Sequence, residues 1–267
     1  MPHVNFTQQI DIPEVLFILF VLFFLGLVYH IRQEDKREGY PLESDRTDRT
    51  GGRVQVVGFP PMPKPKVFLR KFGEPILSPG PRQERNLDGI LVPLHDFPGS
   101  PYVPTGDPLV DGVGPASYAL KEEVPDMTWH GEPNIRPLRK LPEHAVEGTE
   151  TSPIGMDVVT RDGVRVGTIA DVWINVAELF GTYFEVQVAP KFGGDRAILP
   201  VAFADIRPRD KMAVIGMLTA PQFARVPRLA VPDIINFREE DRINAYYAGG
   251  YLYSKPLEKG LESGGKA

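Results

Sequence analysis

The amino-acid sequence predicts a single transmembrane α-helix followed by a mainly-β cytoplasmic body, in which an extended proline-rich segment leads into a small antiparallel barrel. Three observations predict it. Residues 12–31, IPEVLFILFVLFFLGLVYHI, form an apolar run whose stretch 15–28 holds no charged or polar side chain. Proline and glycine, 28 and 26 of 267 residues, make up roughly a fifth of the chain against an average near an eighth, which excludes long helical bundles and coiled coils. From residue 154 onward, short apolar runs alternate with turn residues at hairpin spacing.

The apolar run is long enough to cross a bilayer, because twenty residues rising about 1.5 Å each span roughly 30 Å of hydrocarbon. Pro13 falls in the first turn, where backbone N–H groups have no helical partner, and Glu14 sits at the positive end of the helix dipole, so the span starts near Ile12. A secretory signal peptide fits less well: residues 1–11 carry no Lys or Arg, and the run leads into Tyr29, His30 and Arg32 instead of a small-residue cleavage site. Arg32, Lys36 and Arg37 follow the run directly, while the other flank offers only His3. The positive-inside rule therefore places residues 1–11 in the periplasm and residues 32–267 in the cytoplasm. The same three cations, Arg32, Lys36 and Arg37, lie at headgroup depth and are candidates for holding an anionic phospholipid.

Residues 32–153 resist regular structure, with prolines recurring in FPPMPKPK (59–66), SPGP (78–81) and VPTGDP (103–108). Val67, Phe68, Leu69, Ile76, Leu77, Ile90, Leu91 and Val92 are interleaved, more apolar surface than a free linker carries, so the segment is expected to lie extended along a partner. Residues 154–253 change character. Short strands are expected at 158–161, 164–167, 169–174, 183–188, 196–200 and 212–215, with Asp162-Gly163 as a two-residue hairpin turn of type I′. A helix is expected over residues 238–248, where Ile243 and Tyr247 are four apart behind Glu239-Glu240-Asp241, with Gly249-Gly250 ending it. Residues 254–267 read as a flexible tail.

Intrinsic catalysis has little support. With no cysteine there is no disulfide framework, thiolate nucleophile, zinc ribbon or iron–sulfur cluster. The G-x-S-x-G nucleophile motif is missing, the five histidines show no H-x-x-x-H spacing, and Gly112-Val113-Gly114 is followed by a proline that stops a nucleotide-binding helix from opening. Arg207, Arg209, Lys211, Arg225 and Arg228 are interspersed with apolar and acidic neighbours, and the chain carries a formal charge of -5, so nucleic acid is not an expected partner.

Four stretches carry a resemblance: RQEDKREGYPL (32–42), PTGDPLVDGVGPASY (104–118), IADVWINV (169–176) and EEDRINAYYAGGYLY (239–253). In order and separation they resemble the H subunit of the photosynthetic reaction centre of purple bacteria, whose body ends in a six-stranded PRC-barrel. The resemblance implies a chain in the bacterial inner, intracytoplasmic membrane that caps the cytoplasmic face of the L and M subunits. Those partners carry bacteriochlorophyll, bacteriopheophytin, quinones and non-haem iron, with a carotenoid as a further candidate, while this chain binds no cofactor itself. A light-harvesting antenna and a cytochrome subunit are further implied neighbours. The competing reading is a membrane-tethered PRC-barrel adaptor for a soluble partner such as a ribosome.

The resemblance also implies a proton path, because a charge does not cross low-dielectric protein without titratable groups or ordered water. Of the family's two surface histidines at the uptake point, one matches His130 and the other is Glu132 here. Of two acidic residues facing the quinone pocket, one matches Glu178 and the other is Asn175, and the basic residue just beyond is Thr182. Asp171 completes the expected proton-transfer set. Each has a plainer alternative: His130 as a surface aromatic in a turn, Glu178 as a solvated carboxylate, Asp171 as an acceptor for backbone donors in the barrel.

Overall fold

A computed structural model describes residues 11–47, 53–81, 84–97, 99–145 and 152–254. Of the expected tails, 1–11 and 254–267, all but Asp11 and Ser254 lie outside the described residues. The chain divides into two units, residues 1–82 with 95–100, and residues 83–94 with 101–267.

The first unit begins with α1, Ile12–Glu34, capped by Asp11, whose carboxylate accepts from the Glu14 N–H at 3.4 Å. None of its side chains is buried, and its most apolar window has a mean hydropathy of 2.5. A helix that is apolar on every face and covered by no protein suits hydrocarbon as its solvent. The helix runs three residues past the expected end. Arg37 grips Glu34 through two hydrogen bonds of 2.8 and 2.9 Å, which holds the last helical turn and the 3-10 turn after it together.

That turn corrects the lipid assignment for two of its three cations. Lys36 is only 2% exposed: its ammonium donates to the carbonyls of Val57, at 2.7 Å, and Pro60, and lies 5.4 Å from the centre of the Tyr40 ring. Arg37 spends its remaining donors on the carbonyls of Lys64, at 3.0 Å, and Ser78, at 2.7 Å. Both cations lock the chain that follows the helix onto the helix end, so neither points a free charge at a headgroup. Arg32 remains exposed, in a 3.5 Å surface pair with Asp35.

Two hairpins complete this unit: β1, Leu42–Thr47, with β2, Arg53–Val56, and β3, Lys66–Phe68, with β4, Ile76–Ser78. Val67, Phe68, Leu69, Ile76 and Leu77 are all exposed on the chain alone, which is the uncovered apolar surface expected from the sequence.

The second unit opens with the hairpin of β5, Leu91–Pro93, and β6, Tyr102–Pro104, then the short helix α2, Pro108–Asp111, capped by Asp107 and closed by Gly112 at φ +63°. Leu109, Val113, Ala116, Ile135 and Leu141 are buried, so this stretch is no loose segment but part of the core. The main sheet gathers β8 (Asp157–Thr160), β9 (Arg165–Asn175), β10 (Phe180–Val188), β11 (Arg196–Pro200), β12 (Asp205–Arg207) and β13 (Met212–Ile215) in the order β11-β10-β9-β8-β13-β12. It also recruits β7, Ile135–Pro137, which pairs with β9. Pairing is antiparallel except between β8 and β13.

The β8–β9 turn departs from type I′: Gly163 has φ +73° but Asp162 does not share the positive φ. Asp162 is held otherwise, its carboxylate accepting from the Thr160 hydroxyl at 2.6 Å and from the Ala220 N–H at 3.2 Å where α3, Ala220–Ala224, begins. The last helix, α4, Phe237–Tyr253, starts with a capping box between Asn236 and Glu239. It runs straight through Gly249-Gly250, which were expected to end it. These glycines make room for neighbours: a Cβ on Gly249 would stand 2.6 Å from that of Ala116, and one on Gly250 would stand 2.5 Å from the Met217 carbonyl oxygen.

Candidate functional site

The β9–β10 connection carries the expected delivery group. Asn175 pairs with Phe180, leaving residues 176–179 as the turn. Glu178 donates its N–H to Asn175 Oδ1 at 3.0 Å, and Leu179 donates its own to the Asn175 carbonyl at 2.8 Å. The tight path puts Leu179 at φ +57°, a left-handed conformation that costs a branched-chain residue about 1 kcal/mol. Glu178, Leu179 and Phe180 all face outward, so the tip presents one carboxylate beside two exposed apolar side chains. Asn175 occupies an expected acidic position but works as a cap, accepting from the Glu178 N–H and offering Nδ2 to its carboxylate at 3.5 Å.

The expected uptake residues sit on a second hairpin turn, residues 128–132. Thr128 donates its N–H to the Glu132 carbonyl at 2.8 Å, and its hydroxyl accepts from the Glu132 N–H at 3.3 Å. His130 and Glu132 are exposed, and the Glu132 carboxylate pairs with Arg136 at 2.9 Å. The hairpin ends in Asn134, whose backbone and side chain both bond to Asp126, at 2.8 Å each. On its other side Asn134 accepts the N–H groups of Val176, at 2.9 Å on the carbonyl, and of Ala177, at 3.0 Å on Oδ1. The structure thus brings the His130–Glu132 turn and the Glu178 turn into one hydrogen-bonded assembly.

Asp171 belongs elsewhere. It stands opposite Glu185 in the β9–β10 ladder, four residues back from Asn175, and is buried. Its oxygens accept from the Val172 N–H at 2.8 Å, the Arg139 N–H at 3.3 Å and the Arg139 guanidinium at 2.7 Å. The same Arg139 nitrogen reaches Glu185 at 2.8 Å, and its other terminal nitrogen meets Asp233. Glu185, only 2% exposed, also takes the Trp173 indole N–H at 2.9 Å and an ion pair with Arg196 at 2.7 Å that lacks hydrogen-bond geometry. Lys140, 2.9 Å from Asp233, holds that carboxyl below its usual range against partial burial. Asp171 is one corner of a buried charge cluster within the barrel, where it also accepts from the backbone donors of Val172 and Arg139.

Sequence reading missed two other protonatable groups. Burial pushes Glu240 up from the ordinary carboxylate value even though the Tyr183 hydroxyl donates to it at 2.8 Å, and burial with the Glu240 charge pushes Tyr183 up as well. A raised native value makes this carboxyl most favourable to the fold when protonated, so its contribution falls as pH rises from about 4.5 through the raised value. Glu185 did have a local signal: a carboxylate between Phe184 and Val186 in an otherwise buried strand must find a partner. Among the described residues no group of three or more His, Asp or Glu side chains is placed to hold a metal ion.

Residues 4–140 match the photosynthetic reaction centre H-chain N-terminal region, and residues 149–215 match the PRC-barrel domain. The chain belongs to the photosynthetic reaction centre H-chain family. Members of this family are in general non-catalytic subunits that associate with other reaction-centre subunits. Among the described residues one exposed apolar helix is long enough to cross a membrane, and with the family it fits a membrane-anchored protein with a mainly-β body. The match to the H-chain region extends through the extended segment into β7, the strand that joins the barrel sheet.

Proposed function

We propose that this chain caps the cytoplasmic face of the pigment-bearing L and M subunits and conducts protons to a quinone reduced there, taking them up at His130 and Glu132 and delivering them at Glu178. The quinone, pigments and iron belong to the partners, and the chain supplies water-facing proton chemistry alone. The observation that carries this reading is the β9–β10 tip, where an exposed carboxylate projects beside exposed Leu179 and Phe180 from a turn fastened to the His130–Glu132 hairpin. A tip of that composition suits contact with an apolar partner around a proton-exchanging group. Asn175 keeps the turn in shape but releases no proton as a carboxylate does, so delivery rests on Glu178. Arg32 alone of the three flanking cations retains the exposure a phospholipid headgroup needs.

The test is capture of the affinity-tagged full chain from membranes in mild detergent. The captured complex is expected to show near-infrared bacteriochlorophyll absorption. Recovery of the chain with soluble protein and no pigment favours the tethered adaptor instead. Orientation is tested separately, from the asymmetry of Arg32, Lys36 and Arg37 against His3. Protease added to inside-out vesicles is expected to remove most of the chain, and a body that survives there yet is lost from right-side-out vesicles reverses the topology.

A further inference from the structure

Four successive N–H groups form the Glu178 turn, and two asparagines hold all of them. Asn175 takes those of Glu178 and Leu179, and Asn134 takes those of Val176 and Ala177. Asn134 lies 44 residues before Glu178 in the chain's numbering yet is only 7% exposed, because it sits one residue ahead of β7 and Ile135 pairs with Asn175. Both ends of its amide are engaged: Oδ1 accepts from Ala177 while Nδ2 donates to Asp126 at 2.8 Å. That divided amide needs an acceptor and a donor on separate atoms of one short side chain, which Asn supplies and Leu or Lys does not.

From this geometry we infer that Asn134 is a positioning residue for Glu178, setting the direction of the delivery carboxylate and tying it to the uptake hairpin; the inference rests on the proton-delivery reading above. Losing the Asn134 side chain frees the Ala177 N–H and unpairs Asp126 without touching any protonatable group of the path. The turn then samples other conformations, and Glu178 meets the reduced quinone in fewer of them.

The experiment uses the intact complex with Asn134→Ala, Glu178→Gln, both together, and the paired swap Asn134→Asp with Asp126→Asn. The swap keeps the net charge, an acceptor for Ala177 and a donor–acceptor pair between positions 134 and 126. Two quantities are read: amide hydrogen exchange over residues 176–179, and the flash-induced second electron transfer to the quinone across pH. Asn134→Ala is expected to speed exchange about tenfold and slow the second transfer several-fold. It is expected to add no further slowing in the Glu178→Gln background, and the swap is expected to restore both quantities. Unchanged exchange overturns the inference. So does a slowing of equal size in the Glu178→Gln background, or a swap that restores neither quantity. A Glu178→Gln complex with an unchanged second transfer, together with faster exchange in Asn134→Ala, sinks the delivery reading and leaves Asn134 as the residue that orders the turn.

Discussion

Glu178→Gln is expected to slow the second, proton-coupled electron transfer to the quinone about a hundredfold while the first, light-driven charge separation keeps its rate. The amide preserves the shape of the side chain and can still accept from its surroundings, but it carries no exchangeable acid proton. The turn itself is held by N–H groups bonded to Asn134 and Asn175, so the substitution leaves the backbone where it is. Residues 175–180 read NVAELF, so no second carboxylate on this turn takes over. His130→Ala is expected to give a milder loss that grows with rising pH, as bulk protons become scarce and Glu132 is left to serve the uptake point. Flash-induced absorbance kinetics of both transfers between pH 6 and 10 decide the matter. An unchanged second transfer removes Glu178 from the path, and a slowed charge separation marks damage to the complex.

Arg139→Met is expected to be the most damaging single change in the barrel. It strands Asp171 and Glu185, both buried, without their shared cation, and breaking one partner out of a buried charge cluster costs about 3 to 5 kcal/mol. The Arg139 side chain is a third exposed, so the lower end of that range applies. Urea unfolding of the full-length chain in detergent, followed by tryptophan fluorescence, is expected to show a midpoint lowered by roughly 1 to 2 M. Trp173 makes a direct reporter, since its indole bonds Glu185. Replacing Arg139, Asp171 and Glu185 together with apolar residues of similar size is expected to recover most of the loss, because no buried charge is left unpaired: Asp233 keeps Lys140, and Arg196 is exposed to water. A midpoint moved by less than a few tenths of a molar in the single variant shows that the cluster contributes little. Acid acts on the same cluster through Asp233: its depressed native value makes its contribution complete above the ordinary carboxylate range and lost as pH falls through the native value.

The parts of the fold that are set by neighbouring residues were legible in the sequence. The strands at 196–200 and 212–215 coincide with β11 and β13, and the apolar run reappears as α1 with one added turn, because alternation and helical periodicity act over a few residues. What escaped depends on residues far apart. Gly249-Gly250 looked like a helix stop, yet their role is set by Ala116 and Met217. Lys36 looked like a headgroup ligand beside Arg32 and Arg37, yet the carbonyls of Val57 and Pro60 claim it. Resemblance pointed to His130 and Glu178 as candidates, and the structure places both on exposed turns. Nothing near Asn134 or Arg139 signals that their partners wait across the sheet at Ala177, Asp171, Glu185 and Asp233, since periodicity gives the face of a strand and not who meets it.

The recruitment of β7 and the reach of Arg139 to Asp233 have a consequence for how the chain is made. Synthesis delivers α1 well before either partner of these contacts exists: β7 waits for β9, and the Arg139 cluster waits for Asp233, almost 200 residues behind the helix end. The helix therefore leaves the ribosome while the barrel is still an incomplete sheet. No contact of the barrel has to form before the helix meets lipid, and a barrel that closes on an inserted helix does so confined to the bilayer surface, where its local concentration is set by two dimensions instead of three.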